Sequence, residues 1–233
     1  WTSFADYADK MFCLVRTDPD ASKQGGISFL LIDMRSPGVI VRPIPLLDGS
    51  SEVSEVFLDD VRVPAENLLG ELHQGWSCAK YLLGHERANA GRVARSKREL
   101  RLLRRLAVLR AHESGSALAD AGFQIEIAKA ETDVYALDQL TLGLIAQASA
   151  GRAMGPEASV LKLIGTEVAQ RISSLLVDVL GTDLAGPSVP DGDAQMPSPE
   201  NLVAQYLNWR KLSIYGGSNE VQRNIIAKAV LGI

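Results

Sequence analysis

The texture of this 233-residue chain changes once, near residue 70, and that change limits the folds available to it. Residues 7–64 contain short runs rich in Val, Ile, Leu and Phe, such as "ISFLLIDM", divided by Gly, Pro, Asp and Ser, which is typical of antiparallel strands. From about Gly70 onward, long segments rich in Ala, Leu, Arg and Glu have helical periodicity. The sequence therefore predicts an α+β protein, with part of an antiparallel β domain in residues 1–68 and an antiparallel helix bundle in 69–233.

The helical half contains two clear apolar stripes, whose members recur at steps of three and four residues. The first comprises Ile127, Ala130, Val134, Leu137, Thr141, Leu144 and Ala148, and the second Leu161, Val168, Ile172, Leu175 and Val179. Four or five helices joined by loops are expected, as in a bundle. Residues 181–199 hold four prolines and few apolar side chains, which predicts an ordered excursion or a mobile loop.

Composition excludes several classes of protein. The net charge of −4 and a pI near 5.5 argue against a nucleic-acid or anionic-membrane partner. No apolar run approaches the roughly 18 residues of a membrane span. Cys13, Cys78 and the three histidines lack metal-ligand spacing, so we predict neither a metal site nor a disulfide framework. Unpaired cysteines fit a reducing compartment, which we expect to be the cytosol or the mitochondrial matrix. Because the chain opens at Trp1, we expect a piece of a longer protein.

A carboxylate interrupts an apolar helical face early in the helical half. The segment "GWSCAKYLLGHERANAGRVARSK" places six residues on that face, namely Ala79, Leu82, Leu83, Glu86, Ala90 and Val93. Burial raises a carboxylate's pKa and makes it a stronger base, suited to removing a weakly acidic proton. The alternative is a residue at the stripe's edge that pairs with Arg87 or Arg92 or reaches solvent.

The C-terminal tail, "SIYGGSNEVQRNIIAKAVLGI", follows a helix that carries Trp209 and predicts a tight turn and a final helix. Ser218 opens that helix, so the backbone amides there and the positive end of the helix dipole suit a polar cofactor edge. An ordinary N-cap serine is the alternative, and the two roles are compatible.

This tail resembles the C-terminal signature of flavin-dependent acyl-CoA dehydrogenases of lipid metabolism and β-oxidation. The resemblance implies FAD as cofactor, an acyl-CoA thioester as substrate, α,β-dehydrogenation as reaction and electron-transfer flavoprotein as electron acceptor. It implies that Tyr215 and Gly216 line the substrate channel, that Ser218 touches the flavin and that Glu220 lies near its adenosine part.

Most members of that family have a catalytic glutamate where this chain has Gly216. In the isovaleryl- and long-chain-type branches the base comes from the first long helix instead, and Glu86 occupies the matching position. The resemblance thus implies that Glu86 is the base and that Arg87 orients hydrogen bonding beside it.

The opening "WTS" is similar to the family's tryptophan and hydroxyl motif, and "EVFLDDVRVP" resembles the end of its β domain. The resemblance assigns Trp1, Thr2 and Ser3 to the flavin, whereas a strand start with an aromatic residue is the alternative for these three residues alone. It covers nearly the whole chain and is strongest to the large subunit of bacterial two-subunit enzymes such as pimeloyl-CoA dehydrogenase. The family's N-terminal helical domain is absent from the sequence.

Two departures from the family concern assembly. The arginine and phenylalanine-glycine motif that reaches a neighbouring subunit's flavin is missing around "RAHESGSALADAGFQIE", and the Leu-Gly-Gly turn reads "VLGTDLAG". A homo-oligomer or a hetero-oligomer with a second acyl-CoA dehydrogenase subunit is expected. Two other functions stay open: a non-catalytic subunit that supports an active partner, and a helical interaction module that docks through its arginine-rich helix.

Overall fold

The computed structural model of the chain describes residues 1–86, 91–110, 120–152, 155–181 and 197–232. They belong to two compact units, Trp1–Glu86 and Arg87–Ile233. The first unit carries the strands and one helix, and the second carries the remaining helices. The α+β class predicted from the sequence is confirmed. The domain boundary predicted between residues 68 and 69 stays a prediction, and it falls before the helix that completes the first compact unit.

The first unit contains two three-stranded antiparallel sheets, in the orders β1-β5-β4 and β2-β3-β6. Their strands are β1 (Thr2–Ser3), β2 (Lys10–Arg16), β3 (Ile27–Asp33), β4 (Val39–Ile44), β5 (Val53–Leu58) and β6 (Leu68–Leu69), and a 3-10 turn, Ala65–Asn67, precedes β6. Cys13 pairs with Leu30 in one sheet and Val41 with Val56 in the other. The prediction of antiparallel strands is therefore confirmed.

Helix α1 (Gly75–Glu86) packs on β3 and closes the first unit. Phe29 and Ile32 of β3 are buried in its core, together with Ala79 of α1. A Cβ atom added to Gly75 would overlap the backbone of Ser28 and Phe29. Glycine at this position lets the first turn of α1 approach the β3 main chain directly.

The second unit is a helix bundle arranged around one central helix. Its elements are α2 (Val93–Leu109), α3 (Ala121–Ser149), α4 (Glu157–Asp178), α5 (Pro199–Trp209), a 3-10 turn (Arg210–Ser213), α6 (Asn219–Ile226) and a π-helical turn (Ala227–Leu231). Helix α4 packs against α2, α3, α5 and α6. The main hydrophobic core of the second unit contains side chains from four helices, among them Leu106, Val134, Ile172 and Leu202. Among the described helices, none is long and apolar enough to cross a membrane.

The apolar stripes predicted from periodicity are largely confirmed. Five of the seven α3 positions are buried, whereas Thr141 is half-buried and Ala148 is exposed near the end of the helix. All five positions predicted in the second stripe are buried. Helix α4 also buries Ser159, Lys162 and Thr166, which lie outside that stripe, because neighbours surround it on several sides.

The helical face predicted from Ala79 to Val93 does not lie on one helix. Helix α1 ends at Glu86, and α2 begins at Val93. Arg92 has φ 51°, a left-handed conformation that a right-handed helix cannot continue through. The face predicted for α1 is also incomplete, since Leu83 is 52% exposed. The predicted excursion at 181–199 falls mostly outside the described residues, which resume before α5.

Candidate functional site

The C-terminal turn has the helix–turn–helix form expected from the sequence. Gly216 and Gly217 have φ values of 65° and 79°, so both need the conformational freedom of glycine. Ser218 then caps α6 with an extended backbone, and its hydroxyl accepts a hydrogen bond from the Val221 amide at 3.4 Å. The turn is therefore a sharp reversal whose far side is the N-terminus of a helix.

The outer side of the turn is open at one position. A Cβ atom added to Gly216 would meet none of the described heavy atoms within 4 Å, whereas one added to Gly217 would overlap the Gln222 side chain. A ligand can therefore approach the backbone of Gly216 closely. Gly216 has no side chain, so the turn offers no carboxylate at the position where the resemblance led us to look for one.

Tyr215 is held from α2. Arg92 Nη1 donates to the Tyr215 hydroxyl at 3.1 Å, and the ring remains 46% exposed. The Arg92 guanidinium also lies 5.7 Å from the centre of the Trp209 ring, and that of Arg95 lies 4.4 Å from it. Two cations stacked on one buried indole thus fix the side of the turn that carries Tyr215.

The two guanidinium groups crowd one another. Burial lowers the pKa of Arg95, and the charge of Arg92 lowers it further, while Glu99 acts in the opposite direction. Glu99 is only 3% exposed and accepts from Arg98 at 2.8 Å and from Gln205 Nε2 at 3.2 Å. This buried carboxylate compensates part of the positive charge beside Tyr215. The sequence carries one signal for it, since Glu99 is the single acidic residue between Arg87 and Arg110.

Glu220 lies in the first turn of α6 and is exposed. Hydrogen bonds from its own backbone amide and from the Ser218 hydroxyl lower the pKa of its carboxyl group. It is therefore an ionised acceptor at the N-terminus of a helix. Tyr215, Gly216 and Glu220 are exposed and Ser218 is half-buried, all within the second unit.

The residues of the opening motif lie in the first unit. Thr2 and Ser3 form β1, which pairs with β5 through Ser54 and Val53. Trp1 is 85% exposed beside the motif, and Phe4 and Tyr7 are exposed nearby in the sequence. The strand start predicted as the alternative is present, and the flavin contacts assigned to Trp1, Thr2 and Ser3 stay predictions.

Glu86 is the last residue of α1, but its side chain lies outside the description, as does Arg87 altogether. Their predicted roles therefore remain predictions. Among the described residues, no group of three or more His, Cys, Asp or Glu side chains is placed to hold a metal ion.

Antiparallel strands followed by a helix bundle that ends in a glycine turn define the class of fold that the sequence suggested. The chain belongs to the acyl-CoA dehydrogenase family, because residues 73–231 match the family's model of the acyl-CoA dehydrogenase C-terminal domain. Acyl-CoA dehydrogenase IpdE1 of Mycobacterium tuberculosis is 34% identical over all of this chain and 57% of its own length. The chain thus spans little more than half of that relative.

Solved structures show the same fold. The ChsE4-ChsE5 complex of Mycobacterium tuberculosis has a chain with a TM-score of 0.80 and 30% identity, covering 100% of this chain and 59% of its own. A Tcur3481-Tcur3483 steroid ACAD gives a TM-score of 0.82 at 26% identity, covering 99% of this chain and 58% of its own. Both of these relatives are named as pairs of proteins.

Proposed function

We propose that the full protein catalyses FAD-dependent α,β-dehydrogenation of an acyl-CoA thioester to the trans-2-enoyl-CoA. The observation that carries this proposal is the turn at 215–218, where an open glycine backbone lies between a held tyrosine and a capped helix N-terminus. Membership of the acyl-CoA dehydrogenase family supports the same reaction.

The residues present fit a flavin. Ser218 and the positive N-terminal end of the α6 dipole suit a polar cofactor edge, and ionised Glu220 offers an acceptor for hydroxyl groups of the adenosine part. The exposed indole of Trp1 suits packing against a planar ring, with Thr2 and Ser3 offering hydroxyl groups beside it. When bound, FAD would accept a hydride at its N5 atom.

The remaining steps belong to this chain's own residues. Glu86 would take the proton from the α-carbon of the thioester, while the β-carbon gives up its hydrogen with the bonding electron pair, which leaves a carbon–carbon double bond. Tyr215 would form one wall of the substrate channel, because Arg92 fixes its hydroxyl. The open backbone at Gly216 leaves room for the thioester, and Arg87 would orient the hydrogen bonds around the base.

Electron-transfer flavoprotein is the proposed electron acceptor, and a second acyl-CoA dehydrogenase subunit is the proposed partner. Two of the similar structures are named as two-protein assemblies, which supports the second part. A cytoplasmic location in a bacterium, or the matrix in a mitochondrion, fits this chemistry.

A non-catalytic subunit is the second candidate, and Gly216 is the observation that favours it. The turn lacks the carboxylate that most relatives use, so this subunit would be inactive if Glu86 is not the base. In that case the chain would stabilise or regulate an active partner.

Visible absorption of the full-length protein, co-expressed with its genomic neighbour of the same type, tests both candidates. Anaerobic addition of an acyl-CoA panel should bleach the flavin bands with one thioester. Glu86→Gln should slow the bleaching by about two to four powers of ten without removing the flavin. Glu71→Gln is the matched control, since Glu71 is an exposed carboxylate of the same unit, before α1.

A protein that stays colourless after FAD is supplied would rule out the catalytic reading for this subunit. A flavoprotein whose bleaching is equally fast in the Glu86→Gln and Glu71→Gln variants would show that the base is another residue.

A further inference from the structure

One face of α4 carries a stripe of three polar side chains at a spacing of four residues. We call Lys162, Thr166 and Gln170 the α4 polar stripe; the first two are buried and the third is half-buried. Four-residue spacing places all three on one side of the helix. The stripe therefore faces a single neighbouring segment, which is the C-terminal region from Trp209 to Asn219.

Lys162 is the charged member of the stripe, and only 7% of its surface is exposed. Its ammonium group donates to the carbonyl oxygen of Leu212 and to the side-chain oxygen of Asn219, both at 3.1 Å. The Thr166 hydroxyl donates to the same Asn219 oxygen at 3.1 Å. Charge-assisted hydrogen bonds at a buried site are stronger than neutral ones, and an unpaired ammonium there would be costly.

These partners lie at the two ends of the candidate site. Leu212 belongs to the 3-10 turn before the tyrosine, and Asn219 is the first residue of α6. One ammonium group thus joins the backbone before the turn to the helix after it. Further along the stripe, Gln170 Nε2 donates to the carbonyl oxygens of Trp209 at 3.0 Å and Arg210 at 3.1 Å.

Within the turn, Gln222 Nε2 donates to the carbonyl oxygens of Gly216 at 3.5 Å and Gly217 at 3.3 Å, both long hydrogen bonds. Two successive glycines have many accessible backbone conformations, and a Cβ at Gly216 would find no described neighbour within 4 Å. Side-chain packing at Gly216 therefore adds no restraint on the turn, and the long hydrogen bonds from Gln222 add only a weak one. Restraint of the two ends of the turn can select its conformation, because fixing both ends of a short segment removes most of its alternative backbone conformations.

We propose that Lys162 is a positioning residue, which fixes the turn carrying Tyr215, Gly216 and Ser218 in the geometry that the flavin and substrate require. Thr166 assists it through Asn219. The role of the turn in binding flavin and substrate rests on the proposed function. The restraint of the turn by Lys162 does not depend on a bound flavin.

Four variants of the full-length protein in its complex test the proposal. Lys162→Met removes the ammonium group and keeps most of the side-chain volume. Thr166→Val removes only the hydroxyl, and Thr166→Ser keeps it. Arg171→Gln is the matched control, because Arg171 is also on α4 but pairs with Asp133 of α3, away from the turn.

Amide hydrogen exchange in residues 210–222 is the first readout. The Lys162→Met variant should exchange about tenfold faster there, the Thr166→Val variant less so, and the Thr166→Ser and Arg171→Gln variants at the wild-type rate. The second readout is FAD affinity and kcat/KM, measured for each variant at the same interval below its own Tm. Both should fall about tenfold or more in Lys162→Met and recover in Thr166→Ser relative to Thr166→Val.

Unchanged exchange in 210–222 for Lys162→Met would overturn the proposal, as would kinetic losses equal to those of Arg171→Gln. If Lys162→Met does not fold, the Thr166→Val and Thr166→Ser pair decides by the same criteria. Faster exchange in Lys162→Met, found together with a wild-type protein that no thioester bleaches, would support the restraint by Lys162 and reject the proposed function, so the two failures are distinguishable.

Discussion

A close backbone contact between α4 and the segment before α2 predicts opposite effects for one substitution at two glycines. Gly165 lies within α4, and a Cβ atom added there would be 2.6 Å from the carbonyl oxygen of Gly91 and 2.8 Å and 2.9 Å from its Cα and carbonyl carbon. All three atoms are backbone, so no side-chain rotation can relieve the overlap. Gly143 lies within α3, where an added Cβ would meet none of the described atoms within 4 Å.

The magnitudes follow from two opposing terms. Alanine is about 1 kcal/mol more favourable than glycine inside a helix. Overpacking of a well-filled contact costs about 1–3 kcal/mol, and a contact made only by backbone belongs near the upper end of that range. We therefore expect Gly165→Ala to lower the free energy of unfolding by about 1–2 kcal/mol, and Gly143→Ala to raise it by about 0.5–1 kcal/mol.

Chemical denaturation followed by circular dichroism measures both values, and a thermal scan should show shifts of opposite sign. Gly91→Ala is the control on the other side of the contact. A Cβ atom at Gly91 would make only ordinary contacts of 3.5–3.6 Å, so this variant should not show the loss of stability expected for Gly165→Ala. A Gly165→Ala protein as stable as wild type would refute the inference that backbone contact sets the α2–α4 distance. So would a destabilising Gly143→Ala.

Three further perturbations have expected outcomes. Tyr215→Phe should raise KM several-fold, since Arg92 loses the hydroxyl that it holds at 3.1 Å, whereas Tyr135→Phe on the exposed face of α3 should leave the kinetics unchanged. Burial lowers the pKa of Lys162, and the carboxylate of Glu220 offsets part of that shift. At a pH between the lysine pKa of the folded protein and that of the unfolded chain, the unfolded chain therefore binds more protons. The stability of wild type relative to Lys162→Met should therefore rise with pH through that alkaline window in denaturation curves, and a flat difference would contradict the pKa direction. Desolvation raises the pKa of Asp178 at the C-terminal end of α4, so Asp178→Asn should stabilise the protein slightly at neutral pH, because solvent screens this exposed carboxylate, and the gain should vanish in acid below the unfolded pKa.

Local patterns in the sequence were sufficient for much of the fold. The buried positions of α3 and α4 repeat every three or four residues, and that period depends only on helix geometry. The change from strand-rich to helix-rich texture, and the glycine pair before Ser218, are likewise local. These features could be predicted without knowing which elements are neighbours.

The left-handed conformation of Arg92 is a feature that the local sequence does not predict. The segment around it has a largely helix-forming composition, and the neighbouring Gly91 does not by itself indicate that Arg92 is left-handed. The break coincides with Gly91, which contacts Gly165 of α4, a residue distant in the sequence. A helix propensity of a few tenths of a kcal/mol per residue is overridden by such packing.

The sequence by itself determined the family, the order of the elements and the chemistry available in the tail, because composition, periodicity and motifs are properties of neighbouring residues. Only the tertiary structure decided how that tail is held. Lys162 and Asn219 are 57 positions apart and Arg92 and Tyr215 are 123 apart, and each pair meets only after the helices have packed. Hydrogen bonds act over about 3 Å in space and leave no period in the sequence, so these partners became visible only in the folded chain.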